Sequence, residues 1–266
     1  YSDVTQSMVI EMVRRLVMLD CRVHIGTATI PSALANDLKS VLGAGQVAEV
    51  NLDTPVLDSY DRIEVRKNAT IDDAFAAVAH AIASGERVLL VANQVATAQA
   101  WFERVRGEFP DIPSMLVHSR FRRMDRATLE QRIYELQRAP GPCVVCATQV
   151  VEVSLDISFD RMVTEAAPID SLVQRFGRVN RERTKSGIGI LRPVHVLSPP
   201  ESASQIRPYD ESIVRRSYEA LPEGPLQARE TQSLVDRVYP EVKYPPIEIH
   251  LMYDHEGQPQ MPELQH

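Results

Sequence analysis

Three side chains in this sequence have the types and the spacing to hold a polyphosphate. Gln174, Arg178 and Arg181 stand in the phrase Gln174-Arg175-Phe176-Gly177-Arg178-Val179-Asn180-Arg181. On a helix they fall at i, i+4 and i+7 and share one stripe. A guanidinium is always charged and presents its donors as a fork that matches phosphate oxygens. Phosphoryl transfer asks for charge neutralisation on the moving group more than for covalent chemistry. One well-placed arginine contributes about 10³–10⁵ in rate, which is about 4–7 kcal/mol of barrier. Gln174 would position water or a phosphate oxygen, and Gly177 would let the helix approach a neighbour closely despite its poor helix propensity. An arginine-rich helix packed on acidic neighbours is the competing reading.

A second phrase lies upstream, Ala147-Thr148-Gln149-Val150-Val151-Glu152-Val153-Ser154-Leu155-Asp156. Thr148 and Gln149 leave the end of an apolar run with hydroxyl, amide and backbone N–H donors. Such donors hold a nucleic-acid phosphate without reading its sequence. Asp156 follows a short turn and can accept from a ribose hydroxyl, or serve as a simple cap.

Both phrases need a scaffold. A helical apolar pattern over about 4–19 precedes an expected strand over 22–26 and a helix over about 32–42, which Gly43-Ala44-Gly45 ends. The stretch 51–60 is turn-rich and reads as a linker. From about residue 61, strands are expected over 62–65, 87–92, 114–118, 143–148, 161–164 and 193–197. Helices over about 71–83, 96–106, 126–138 and 171–178 alternate with them. Short β-branched runs separated by helical patterns indicate a parallel sheet covered by helices on both faces. Such sheets bind ligands at the carboxyl ends of their strands. Asn93, His118, Ser119, Thr148 and Gln149 all fall at those ends. After Pro199-Pro200, helices over about 211–221 and 226–238 and a proline-rich tail make a C-terminal helical extension.

Composition sets the outer bounds. The chain has 266 residues, enough for one large or two small domains with real cores. Its net charge of −7 argues mildly against a nucleic-acid partner when read globally. Locally, Arg120, Arg122, Arg123, Arg126 and Arg132 cluster, as do Arg175, Arg178, Arg181, Arg183 and Lys185. A solvated charged face is the bland reading of either cluster. Cys21, Cys143 and Cys146 suggest a reducing, cytoplasmic setting without a disulfide framework. Cys143 and Cys146 sit in a strand pattern, where i and i+3 face opposite ways, so two buried thiols are expected rather than a metal pair. No histidine pair has metal-ligand spacing, and no run is apolar enough for a membrane span. No Gly-x-x-x-x-Gly-Lys-[Ser/Thr] loop and no Asp-Glu-x-His phrase occur.

Thr148 to Asp156 and Gln174 to Arg181 resemble motifs V and VI of superfamily 2 helicases, and Gly26-Thr27-Ala28-Thr29-Ile30-Pro31 resembles motif III. The wording is similar to one branch in particular, the type I CRISPR-associated helicase–nucleases. That likeness is carried by Val117-His118-Ser119-Arg120-Phe121 with Asp125-Arg126, by Glu152 with Ser154-Leu155-Asp156, and by Ala167-Pro168-Ile169-Asp170-Ser171-Leu172 running into Gln174-Arg175. The resemblance implies a RecA-like fold. Residues 1–50 would be the tail of a first lobe including motif III, 61–198 a second lobe carrying motifs IV to VI, and 199–266 an extension. It implies that Arg178 and Arg181 act on the ATP γ-phosphate with Gln174 in support, and that Asp156 contacts the nucleotide. Thr148 and Gln149 would hold the DNA strand, helped by Asn93, His118, Ser119 and Arg120, while Thr27 and Thr29 would couple hydrolysis to movement. Mg²⁺ ligands would lie in the first lobe, whose acidic motif in this family ends just before a tyrosine like Tyr1, so the chain reads as a piece that is inactive alone. Implied partners are single-stranded DNA, the first lobe, an HD nuclease domain and a guide-RNA surveillance complex. An RNA helicase lobe and a non-catalytic binding module are the other readings. RNA-acting branches usually carry arginine or glycine where this chain has Glu152 and Ser154.

Overall fold

A computed structural model describes residues 3–27, 29–118, 123–152, 157–181, 189–241, 252–253 and 259–260. The chain divides into two compact units, Tyr1–Glu49 with Glu241–His266, and Val50–Pro240. In the smaller unit, α1 (Asp3–Met18) and α2 (Ser32–Leu42) bury one apolar stripe each. Ile10 and Val13 of the first meet Leu34 and Leu38 of the second, at the i, i+3 and i, i+4 spacings of a shared face. Gly43 ends α2 at a φ of 87°, a conformation that only glycine adopts cheaply. The strand expected over 22–26 does not form, and residues 21–27 carry no ladder. A strand exists only beside another strand, and none of the described residues pairs with 22–26.

In the larger unit a short helix, α3 (Thr54–Asp58), occupies the expected linker, started by a proline in its first turn. Then β1 (Ile63–Asn68), α4 (Ile71–Ala83), β2 (Arg87–Val91), α5 (Val95–Glu108), β3 (Ser114–Val117), α6 (Arg123–Arg138), β4 (Cys143–Ala147), β5 (Arg161–Glu165), α7 (Ile169–Phe176) and β6 (Arg192–Leu197) alternate as expected. Thr70 and Asp73 close a reciprocal capping box that starts α4. The sheet order is β3-β4-β2-β5-β6-β1, all parallel. Strand β4 is buried at every position, which is why its pattern lacks alternation. Cys143 and Cys146 are accordingly both buried, and burial pushes the Cys143 thiol up to about 11. Phe75, Val78, Val88, Leu90 and Trp101 form the centre of one core cluster under the sheet.

The first part of the C-terminal segment, up to Pro240, falls in the same compact unit as the sheet. After α8 (Ala203–Ile206) and α9 (Glu211–Ala220), the unexpected strand β7 (Gly224–Leu226) pairs antiparallel with β1 and closes the sheet edge. Gly224 makes the entry with a φ of 103°, and Pro225 is tolerated because the strand is an edge. The helix expected from 226 starts later, as α10 (Thr231–Val238), and buries Leu234, Val235 and Val238. In the tail, β8 (Met252–Tyr253) and β9 (Pro259–Gln260) form a two-residue antiparallel pairing.

Candidate functional site

Register brings the strand ends level. Val91 of β2 stands opposite Ala147 of β4 and Thr164 of β5, and Val117 of β3 is also opposite Ala147. The residues just beyond these positions therefore share one rim. Asn93 donates its backbone N–H to Glu165 Oε2 at 2.5 Å and its side-chain amide to the Ala166 carbonyl at 2.8 Å. Gln149 donates its amide to the Asn93 carbonyl at 2.7 Å. Thr148 is held by its N–H on the Val117 carbonyl at 3.1 Å and opens a 3-10 turn over Gln149–Val151.

Arg175 sits at the centre of this rim, fully buried. Its five N–H donors all have acceptors. Nε donates to Glu152 Oε1 at 2.9 Å. Nη1 reaches Thr164 Oγ1 at 2.8 Å and the Glu165 carbonyl at 3.3 Å. Nη2 reaches Asn93 Oδ1 at 3.0 Å and the Tyr209 hydroxyl at 3.2 Å. Burial raises the carboxyls of Glu152 and Glu165 above the ordinary range, while the Arg175 charge pulls both partly back. Arg178 adds a second clamp on the same turn, with Nε on the Val151 carbonyl at 2.6 Å and Nη2 on the Glu152 carbonyl at 2.7 Å.

The expected stripe of Gln174, Arg178 and Arg181 does not exist as one helical face. Helix α7 stops at Phe176. Residues 178–180 instead pair with Phe159, through Phe159 N–H on the Arg178 carbonyl and Asn180 N–H on the Phe159 carbonyl, each at 2.9 Å. Burying Val179 completely and gaining that ladder outweighs another helical turn. Asn180 then takes a φ of 49° and turns the chain toward Arg181. Gln174 stays on α7, half-buried, while Arg181 is exposed and anchored by its N–H on Ser158 Oγ at 2.9 Å. Arg178, expected to face a triphosphate, is 6% exposed and committed to carbonyls. Gly177 has an ordinary helical φ, and a Cβ there would meet the Gln174 carbonyl oxygen at 3.0 Å.

Other expectations divide. Asn93 is 6% exposed with both ends of its amide used internally, so it organises the rim and does not lie open to a DNA backbone. Thr148 stands at the strand end as expected, but it is 1% exposed and its hydroxyl has no hydrogen-bond partner among the described residues. Gln149 and His118 are half-buried at the same rim. In the smaller unit, the Thr27 hydroxyl donates to the Thr29 carbonyl at 2.7 Å and accepts the Thr29 N–H at 3.2 Å, closing a local turn. Ser119, Arg120 and Asp156 lie outside the described residues. Among the described residues no group of three or more His, Cys, Asp or Glu could hold a metal ion, and no helix is long and apolar enough to cross a membrane.

The chain is similar to known proteins in sequence and in fold. A sequence profile of the C-terminal region of the CRISPR-associated nuclease/helicase Cas3 matches residues 84–184, which span β2 through α7 and the rim residues from Asn93 to Arg178. A Myxococcus xanthus protein bearing that Cas3 name is 32% identical over 213 residues, 77% of this chain and 27% of the relative. The chain belongs to the Cas3 helicase family. The CRISPR-associated helicase Cas3 of Thermoproteus tenax is 27% identical over 234 residues, 85% of this chain and 37% of the relative. The chain thus spans between about a quarter and two fifths of these Cas3 relatives. The crystal structure of T. fusca Cas3-ADP superposes with a TM-score of 0.74 at 23% identity, over 90% of this chain and 34% of that chain. The fold is therefore the RecA-like helicase fold of Cas3.

Within this lobe, the site residues without a role in the sequence reading are Arg175, Glu165 and Tyr209. One signal was present for Arg175. Ile169, Leu172 and Phe176 form the buried stripe of α7, and Arg175 lies three residues after Leu172 on that stripe. A charge on the apolar face of a helix implies a buried partner. Glu165 and Tyr209 had no comparable signal.

Proposed function

We propose that this chain is the second helicase lobe of an ATP-dependent single-stranded DNA translocase, acting in type I CRISPR antiviral defence. The observation that carries this reading is the double clamp. Arg175 and Arg178 tie the strand-end turn 149–152 to the α7 segment that leads to Arg181. A motor has to link its grip on a strand to its reading of a phosphate, and these hydrogen bonds join the described part of one phrase to the other. Thr148, with a buried hydroxyl that lacks a partner among the described residues, would take a strand phosphate. Gln149, His118, Ser119 and Arg120 would line the same path, and Asp156 would meet the nucleotide. Arg181 and Gln174 would approach the γ-phosphate of ATP presented by a first lobe, and Arg178, held on the Val151 and Glu152 carbonyls, would support them. Thr27 and Thr29 would transmit hydrolysis to strand movement. Mg²⁺ neutralises phosphate charge in such reactions, and its ligands are proposed to lie in the first lobe. The HD nuclease domain and the guide-RNA surveillance complex complete the partner set, consistent with the nuclease/helicase name of the Myxococcus relative.

The test mixes this chain with a separately produced first lobe and measures ATP hydrolysis with and without single-stranded DNA. The chain alone is expected to show no turnover above background. The reconstituted pair should hydrolyse ATP under DNA stimulation, and Arg181→Ala should lower kcat by about 10³. DNA binding without any restored turnover would identify a binding module instead, and stimulation by RNA in preference to DNA would identify an RNA helicase. Affinity for DNA should fall steeply with salt, because the contacts are to phosphates.

A further inference from the structure

Helix α7 has no cap of its own. Its N-cap position is Pro168, which makes no capping bond, yet the first N–H groups of a helix need acceptors from outside it. The acceptor comes from α9. Ser217 Oγ, fully buried, accepts the Ile169 N–H at 2.9 Å and donates its own proton to the Ile213 carbonyl at 2.7 Å. One residue further along α7, Asp170 Oδ1 accepts from the Tyr239 hydroxyl at 2.7 Å, just past the end of α10. At Arg175 near the other end of the helix, the Tyr209 hydroxyl accepts from Nη2 at 3.2 Å, from the link between α8 and α9. Three separate places in residues 203–240 therefore hold one eight-residue helix at its first, second and seventh positions.

We infer that residues 203–240 are a positioning strap for α7, with Tyr209, Ser217 and Tyr239 as positioning residues that set the height and rotation of the helix carrying Gln174 and leading to Arg178 and Arg181. The inference rests on the helicase reading for its functional consequence, and on these contacts alone for its mechanical part. A misplacement of about 1 Å in a reacting constellation costs about 10²-fold in rate, so a small loosening of α7 should appear in turnover before it appears in DNA binding.

Two measurements on Ser217→Ala, Tyr209→Phe and their double variant decide it. In the first, amide hydrogen exchange of this chain is followed by peptide. The segment 169–176 should exchange about ten-fold faster in the double variant while 87–91 and 143–147 keep their protection. An unchanged 169–176, or equal loosening of all three segments, would overturn the strap. In the second, the double variant is placed in the protein that joins this chain to its nucleotide-binding lobe. DNA-stimulated kcat should fall about ten-fold or more with KM for ATP and Kd for single-stranded DNA within about two-fold. A kcat that stays at the parent value although 169–176 has loosened would also overturn it. Tyr209→Phe alone, which removes one hydroxyl from a partly exposed ring, guards against a folding defect in the Ser217 variants. A parent protein with no DNA-stimulated hydrolysis would refute the helicase reading, and the exchange experiment would still decide the strap.

Discussion

Replacing Arg175 by methionine removes the one guanidinium that the rim is built around while keeping an unbranched apolar side chain in its place. The loss can be worked from the contacts. Arg175 is fully buried and serves Glu152, Thr164, Glu165, Asn93 and Tyr209 at once. Without it, the half-buried Glu152 carboxylate loses its ion pair and the half-buried Glu165 carboxylate loses a nearby compensating charge. Removing one partner of a buried ion pair costs about 3–5 kcal/mol, a large share of the roughly 5–15 kcal/mol that holds a domain folded. Glu152→Gln is the matched partner variant. It keeps an oxygen for Arg175 Nε but takes away the carboxylate of the ion pair with the fully buried guanidinium, so it should be destabilising as well, by about 3–5 kcal/mol. The pH dependence has a definite sign. Glu152 and Glu165 have folded pKa values raised chiefly by burial. Their contribution to stability is therefore full below the ordinary carboxylate pKa and is lost as pH rises through the raised folded values. Removing Arg175 takes away the charge that pulls those values down, so the deficit should be largest near neutral pH and shrink toward about pH 5. Urea titrations followed by the fluorescence of Trp101, the chain's one tryptophan, measure this directly. A deficit under about 1 kcal/mol near neutral pH, or one that does not change with pH, would refute the account of the rim as a charge-compensated network.

Thr148→Val exchanges a buried hydroxyl without a described partner for a methyl group, so stability should hold or rise by about 1 kcal/mol while DNA affinity falls about ten-fold. Urea midpoints and fluorescence anisotropy with a labelled oligonucleotide separate the two effects, and a less stable chain with undiminished affinity would contradict the assignment. His195 is 4% exposed between Asn68 Oδ1 at 2.9 Å and Arg161 Nη1 at 3.4 Å. Burial, then the charges of Arg161 and Arg66 against the opposing pull of Glu64, push its pKa down to about 4. Because the folded pKa is depressed, the stability it contributes is present above the free histidine value of about 6.5 and is lost as pH falls toward about 4, with a ceiling of about 3 kcal/mol. His195→Asn should flatten the stability profile in that window, and parallel profiles for parent and variant would exclude the histidine as its cause.

The order of elements in the larger unit was legible in the chain because each is announced locally. Buried parallel strands such as Cys143–Ala147 read as unbroken apolar runs, and α4 opens on a Thr70–Asp73 capping box. The two chemical phrases, and their placement at strand ends, followed from the same local signals. Where the reading failed, a distant partner had intervened. Residues 22–26 have strand character but pair with no strand among the described residues. The helical phase of Gln174, Arg178 and Arg181 is real in sequence, yet Phe159, fifteen and more residues upstream, captures 178–180 into a ladder and ends α7 early. Likewise β7 depends on β1, more than 150 residues earlier, supplying a free edge. Local propensity and periodicity act over a few residues and so specify which helices and strands exist and which end of each carries polar groups. Whether a guanidinium points into a cleft or into a buried network depends on acceptors contributed from four separate segments, and those come together only when the sheet register brings the strand ends level.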